Sequence, residues 1–181
     1  GHDKNVVGDG YRSLILSDYA GASPFWKLNL KVWKLNYQVI YNFMNTGQYT
    51  GPSQTNANEK KYNVFHHLSI NVLHNLNVGV FETVTYGYDS TQTDAFDISY
   101  LNPLIFYRSI EGNLGSSNGN AILGMNFKWN FLNHFSVYGQ MVLDEFKLSE
   151  IKARNGWWAN KYGVQLGAKY IDAFGMKNLD L

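Results

Sequence analysis

Over most of its length this chain alternates apolar and polar residues with a period of two, and that period leaves little choice of fold. Trp26, Leu28, Leu30 and Val32 alternate with Lys27, Asn29 and Lys31, and after a one-residue slip Trp33, Leu35, Tyr37, Val39, Tyr41 and Phe43 alternate with Lys34, Asn36, Gln38 and Asn42. The pattern predicts one long β-strand with a bulge near Val32-Trp33. The same period returns in Leu68, Ile70, Val72, in Leu76, Val78, Val80, in Ala121 to Phe131, in Phe135, Val137, Met141, Leu143, and in Tyr162 to Tyr170. Successive side chains of a strand point to opposite faces, so each run is a strand with one apolar and one polar face. On a helix the same spacing would scatter the apolar residues around the axis. The 21 Asn residues also disfavour helix interiors.

Only 16% of the 181 residues are charged, against roughly a quarter in soluble domains, while 45% are hydrophobic and 16% aromatic. The net charge of +1 supplies no field for nucleic acid, which is excluded as a partner. With no cysteine there is no disulfide framework, thiolate metal site or thiol nucleophile. No run of about 18 apolar residues exists, which leaves strands as the way such a chain could cross a bilayer. The opening Gly1-His2-Asp3 reads as the start of a mature or truncated piece.

The connections between the runs alternate in length. His74-Asn75, Leu132-Asn133-His134 and Ile171 to Gly175 are tight, whereas 45–61, 89–120 and 145–159 are long. In an antiparallel meander every second connection falls at the same end. Short turns at one end and long loops at the other are the pattern of an outer-membrane barrel. Aromatic residues, Trp26 after the Gly21–Pro24 turn and Trp129, Phe131, Phe135 and Tyr170 elsewhere, read as a girdle beside the short turns. The polar faces, with Gly124, Asn126, Lys128, Asn130, Gly163, Gln165, Gly167 and Lys169, suit a crowded wet lumen.

About seven strands are expected, counting a short one at Tyr11 to Leu16, and Asn178-Leu179-Asp180-Leu181 starts a new alternation. Bacterial barrels have even counts from eight upward, so residues 1–181 read as a single all-β unit: an antiparallel meander forming part of a transmembrane outer-membrane β-barrel. Its apolar face would meet outer-membrane lipid, or be covered by self-association of the piece. The alternative is a soluble secreted β-sandwich acting as a binding or adhesion module, its aromatics plugging the end of a core.

Chemical motifs are sparse. His66-His67 would point to opposite faces of a strand and cannot chelate one ion together, and His74 and His134 fall in turns. Asp144-Glu145, with Glu150 nearby, has the residue types of a glycosidase pair, but adjacent strand carboxylates diverge, and solvated charges near Lys147, Lys152 or Arg154 are the better reading. With no nucleophile elbow, phosphate loop or zinc signature, the chain is expected to be no enzyme and to carry no cofactor or metal. A membrane-barrel enzyme would need a Ser-His or Asp-His constellation on facing strands, which the spacing does not suggest. Two loop segments are rich in aromatics: Tyr100 to Ser109 and Gly156 to Lys161. Their rings could stack on sugars or plug a barrel mouth. The glycan-binding candidates are Tyr100, Tyr107, Arg108, Glu111, Trp157, Trp158, Asn160 and Lys161.

At Tyr11 to Asp18, Phe81 to Val84, Tyr100 to Ser109, Tyr138 to Phe146 and Gly156 to Leu181, the chain resembles a Bacteroidetes outer-membrane family similar to the Wzi-type capsule assembly protein, which includes RemB-like proteins associated with gliding motility. The resemblance implies a longer barrel protein at the cell surface that attaches or organises capsular polysaccharide without catalysis. Trp157 and Trp158 match a family motif to which the resemblance attaches no defined role.

Overall fold

The computed structural model of the chain describes residues 1–45, 60–87, 120–144 and 161–181. Eight strands form one sheet: β1 (His2–Asp3), β2 (Ser23–Val32), β3 (Leu35–Asn45), β4 (Lys60–Leu73), β5 (Leu76–Gly87), β6 (Asn120–Phe131), β7 (Phe135–Asp144) and β8 (Lys161–Tyr170). They lie side by side in sequence order, every pair antiparallel. The sheet is open, with β1 and β8 at its two edges. Among the described residues the only helical element is a 3-10 turn at Ala173–Gly175.

The expected bulge at Val32-Trp33 is instead a tight hairpin, in which Trp33 and Lys34 connect β2 to β3 and Val32 pairs with Leu35. A two-residue turn places residues i and i+3 on the same face, so it shifts the apolar parity by one, as a bulge does. Nothing in Trp33-Lys34 announces a turn, because Gly, Asn, Asp and Pro are all absent from it. Trp33 carries the cost with a φ of 53°, a left-handed conformation that bulky side chains seldom adopt. The expected strand at Tyr11 to Leu16 is likewise absent. Only an isolated bridge, Val7 to Leu16, occurs there.

The hairpin strengthens the alternation of connection lengths. The turns at 33–34, 74–75 and 132–134 and the turn after Tyr170 fall at one end of the sheet, and the connections 46–59, 88–119 and 145–160 leave from the other. The alternating residues of successive strands line up in register. One row across the sheet reads Leu28, Val39, His66, Glu82, Leu123, Leu143 and Tyr162. The adjacent row reads Leu30, Tyr37, Leu68, Val80, Met125, Met141 and Val164. These two rows are apolar apart from the tyrosine hydroxyls, His66 and Glu82.

The apolar face has two zones. Toward the long connections, Val39, Tyr41, Tyr62, Val64, Val84 and Tyr86 form a buried cluster on β3, β4 and β5. Elsewhere Leu30, Val32, Met125, Trp129, Tyr162, Val164 and Leu166 are exposed. Aromatic rings gather at both ends of this face. Trp129, Phe131, Phe135, Tyr170 and Phe174 form a chain beside the short turns, with successive centroids 4.6 to 5.7 Å apart. Trp26 does not belong with them. It packs on Tyr41 toward the opposite end, where Phe43, Tyr62 and Tyr86 make a second band.

On the polar face, large rings lie against glycines of the neighbouring strand. Phe81 pairs with Gly124, and Tyr138 pairs with Gly167. A Cβ added to Gly124 would fall on the Met141 carbonyl oxygen and the Phe81 ring. Gly124→Ala is therefore expected to destabilise the sheet by about 2 kcal/mol, read as a lowered urea midpoint. Gly21→Ala, at a position with no atom close to the added Cβ, should stay within about 0.5 kcal/mol of the parent.

Candidate functional site

The polar face is built from short amides and hydroxyls that bond across strands. Asn42 Nδ2 donates to Asn63 Oδ1 at 3.1 Å, and Asn63 Nδ2 donates to Thr83 and Thr85 at 2.6 and 2.9 Å. Gln38 Nε2 reaches Asn29 Oδ1 at 2.7 Å. Such ladders give the many asparagines a place where their turn-forming habit does no harm.

Through this polar surface runs an apolar stripe. Ile40, Phe65, Phe81, Ile122 and Val142 have the opposite parity to the apolar residues around them; Ile40 stands directly opposite Phe65, and from Phe65 onward each is one diagonal step from the next across β4 to β7. Residues 7–16 lie on the stripe, with Val7 in its buried core and Ile15 and Leu16 packed against it. Burying Ile40, Phe65 and Phe81 is worth about 1.5 to 3 kcal/mol each before conformational entropy is charged.

The segment is folded on itself and tied down at its ends. Val7 and Leu16 exchange backbone hydrogen bonds at 2.9 and 3.4 Å, and the Ser13 hydroxyl donates to the Val7 carbonyl. Gln140 Oε1 accepts from the Leu14 N–H at 2.7 Å, Gln165 Nε2 donates to the Arg12 carbonyl at 3.0 Å, and Lys128 Nζ pairs with Asp9 Oδ1 at 2.8 Å. Gly8 sits at a φ of 109°, and a Cβ there would strike the Gln140 amide and the Ser13 hydroxyl. Glycine is therefore required at this crossing point.

His66 and His67 do face opposite sides of the sheet. His66 lies on the apolar face, with Nδ1 2.6 Å from the Tyr37 hydroxyl, and is the register partner of Glu82. Both are well buried, at 6% and 2% exposure, in a row that is otherwise apolar. His67 lies on the polar face, its Nε2 2.9 Å from Asn126 Oδ1 and its ring above Gly79. Asp144 ends β7 on the polar face, opposite Lys161.

Of the glycan-binding candidates, Lys161 alone is described: it begins β8, exposed, at the end of the sheet that carries the long connections. Tyr100, Tyr107, Arg108, Glu111, Trp157, Trp158 and Asn160 lie outside the described residues. The docked segment is the part of the site that reading by alternation missed. Its signal was the parity breaks at Ile40, Phe65, Phe81, Ile122 and Val142, matched by the short apolar runs Val6-Val7 and Leu14-Ile15-Leu16.

Gln140→Leu strands the Leu14 N–H, at a cost of about 1 to 3 kcal/mol to docking. Trypsin cleavage after Arg12 should then accelerate about tenfold or more while the sheet itself stays resistant, as measured by limited proteolysis and mass spectrometry. Comparison with family models, curated proteins and solved structures finds no match.

Proposed function

We propose that this chain is part of the wall of an outer-membrane β-barrel at the bacterial cell surface, which binds or organises capsular polysaccharide without catalysis, in the service of surface assembly or gliding. The observation that carries the reading is the strict placement of short turns at one end of a single meander and long connections at the other. The two aromatic bands support it quantitatively. Leu76, in the row of Trp129, and Tyr86 lie near opposite ends of β5. At ~3.3 Å per residue that separation is about 33 Å along the strand, or roughly 25 Å of height at the usual barrel tilt, close to the apolar band of outer-membrane barrels.

The exposed apolar residues of β2, β6 and β8 would then meet lipid, and the polar face with its docked segment would line the interior. His66 and Glu82 avoid the cost of exposure to hydrocarbon by being buried. Trp33, 79% exposed at the tip of a short turn with Lys34 Nζ 5.3 Å from its ring, has the form of an interfacial anchor. Glycan recognition would fall to Tyr100, Tyr107, Arg108, Glu111, Trp157, Trp158, Asn160 and Lys161, with rings stacking on sugar faces and charged or amide groups bonding hydroxyls.

One observation favours a second reading, a soluble secreted β-sandwich. The buried cluster on the apolar face of β3 to β5 is what a second layer packed on that face would produce. Fractionation of the full-length protein separates the two. Recovery in the outer membrane with heat-modifiable gel migration is expected, and recovery wholly in the soluble fraction would sink the barrel reading.

Two substitutions probe the details. Trp33→Asn relieves the left-handed strain and should stabilise the hairpin in detergent by about 0.5 to 1 kcal/mol while weakening partition into lipid vesicles, a loss that a soluble module would not show. Replacing Trp157 and Trp158 together by Ala should weaken binding of purified capsular polysaccharide about tenfold, measured on the full-length protein by surface retention, with heat-modifiability unchanged.

A further inference from the structure

At the short-turn end of the polar face lies a cleft of about 680 Å³, within the size range of small-ligand pockets. Its chemistry is concentrated in one corner. Asn130, Ser136 and Lys169 stand directly opposite one another across β6, β7 and β8, and Lys128 is two residues before Asn130 on the same strand face. Directly opposed side chains start about 5 Å apart at Cβ, so these four groups converge on one small volume. Lys169 Nζ lies 5.7 Å from the centre of the Tyr138 ring, and Tyr138 is also the register partner of Lys128. Both lysines thus stand beside Tyr138, Lys128 as its neighbour on β6 and Lys169 through its ammonium. Lys128 is balanced by Asp9, whereas Lys169 has no carboxylate partner among the described residues.

Two further observations point to a ligand. Ser136 is only 4% exposed, lines the cleft, and its hydroxyl has no hydrogen-bond partner among the described residues, an unsatisfied condition that buried hydroxyls rarely keep. The lining carboxylate, Asp180, is already engaged, accepting from the Asp172 N–H at 3.3 Å. The remaining polar lining is mostly amide, including Asn75, Asn130 and Asn133. Cations beside amides and rings match a molecule that carries an oxyanion on a hydroxylated ring.

We propose that this cleft binds an acidic sugar of the uronate class, its carboxylate seated between Lys169 and Lys128 and its ring hydroxyls on the asparagine amides. The site is distinct from the aromatic connections at the other end of the sheet and does not rest on the barrel reading. Asp9 competes with the ligand for Lys128, which couples occupancy to the docked N-terminal segment.

The test is calorimetric titration of the full-length protein with D-glucuronate, D-glucose and inorganic phosphate as separate probes. The expected result is saturable glucuronate binding at least about tenfold tighter than glucose, weakened about tenfold by Lys169→Gln and tightened about threefold by Asp9→Asn. Lys169 is exposed, so its substitution should leave the fold intact, and Asp9→Asn gives a gain that misfolding cannot imitate. Glucuronate binding no tighter than glucose, or insensitive to both variants, overturns the proposal. Phosphate binding as tightly as glucuronate overturns it as well, because the amides would then contribute nothing.

Discussion

The antiparallel backbone ladder is the constraint on which everything else in this molecule depends. Each strand is hydrogen-bonded to its neighbours in a register that, across β3 to β6, shifts only between Asn71 and Leu73, so every side chain must go to one face or the other. With helices absent from the described residues, the chain has to satisfy both faces of one sheet. It does so unequally. One face is almost wholly apolar, and the other is an amide and hydroxyl surface crossed by a single greasy stripe.

That asymmetry produces two cores where a sandwich would have one. The cluster around Val39, Val64 and Val84 and the cluster around Ile40, Phe65 and Phe81 sit back to back on the same three strands. The central strands β3 to β5 are thus buried on both sides, while β2 and β8 keep one exposed apolar face each. Stability is concentrated in the middle of the sheet, and the edge strands hold through backbone pairing more than through packing.

Period two made the strands legible because a half-buried strand repeats one physical event at every second residue. It served well wherever the turn lay outside the pattern, as at Leu132-Asn133-His134, where Leu132 and Asn133 both adopt positive φ. It failed at Trp33-Lys34, since a hairpin and a bulge shift parity equally and a strained tryptophan gives no compositional warning. It failed again at residues 11–16, where Ile15 and Leu16 are apolar because they dock on a face, with no ladder of their own to join. The stripe they dock on was hidden for the same reason: five parity breaks on five strands look like noise until the ladders place each within one diagonal step of the next. The aromatic girdle was half legible, because sequence gives an aromatic residue's position in its strand but not the end of the sheet to which that strand's start belongs.

The seating of residues 7–16 also bears on the order of assembly. Its ties to Gln140 and Gln165 span 126 and 153 residues of chain, among the longest loops the molecule closes. Such closures are entropically costly and come after local pairing has formed. The segment nearest the N-terminus can therefore be tied down fully only once β6, β7 and β8 stand in register, since those strands carry Lys128, Gln140 and Gln165. Its docking acts as a check on completion: a sheet with a missing or slipped late strand would leave Asp9, the Arg12 carbonyl and the Leu14 N–H without their partners, and so mark itself as unfinished.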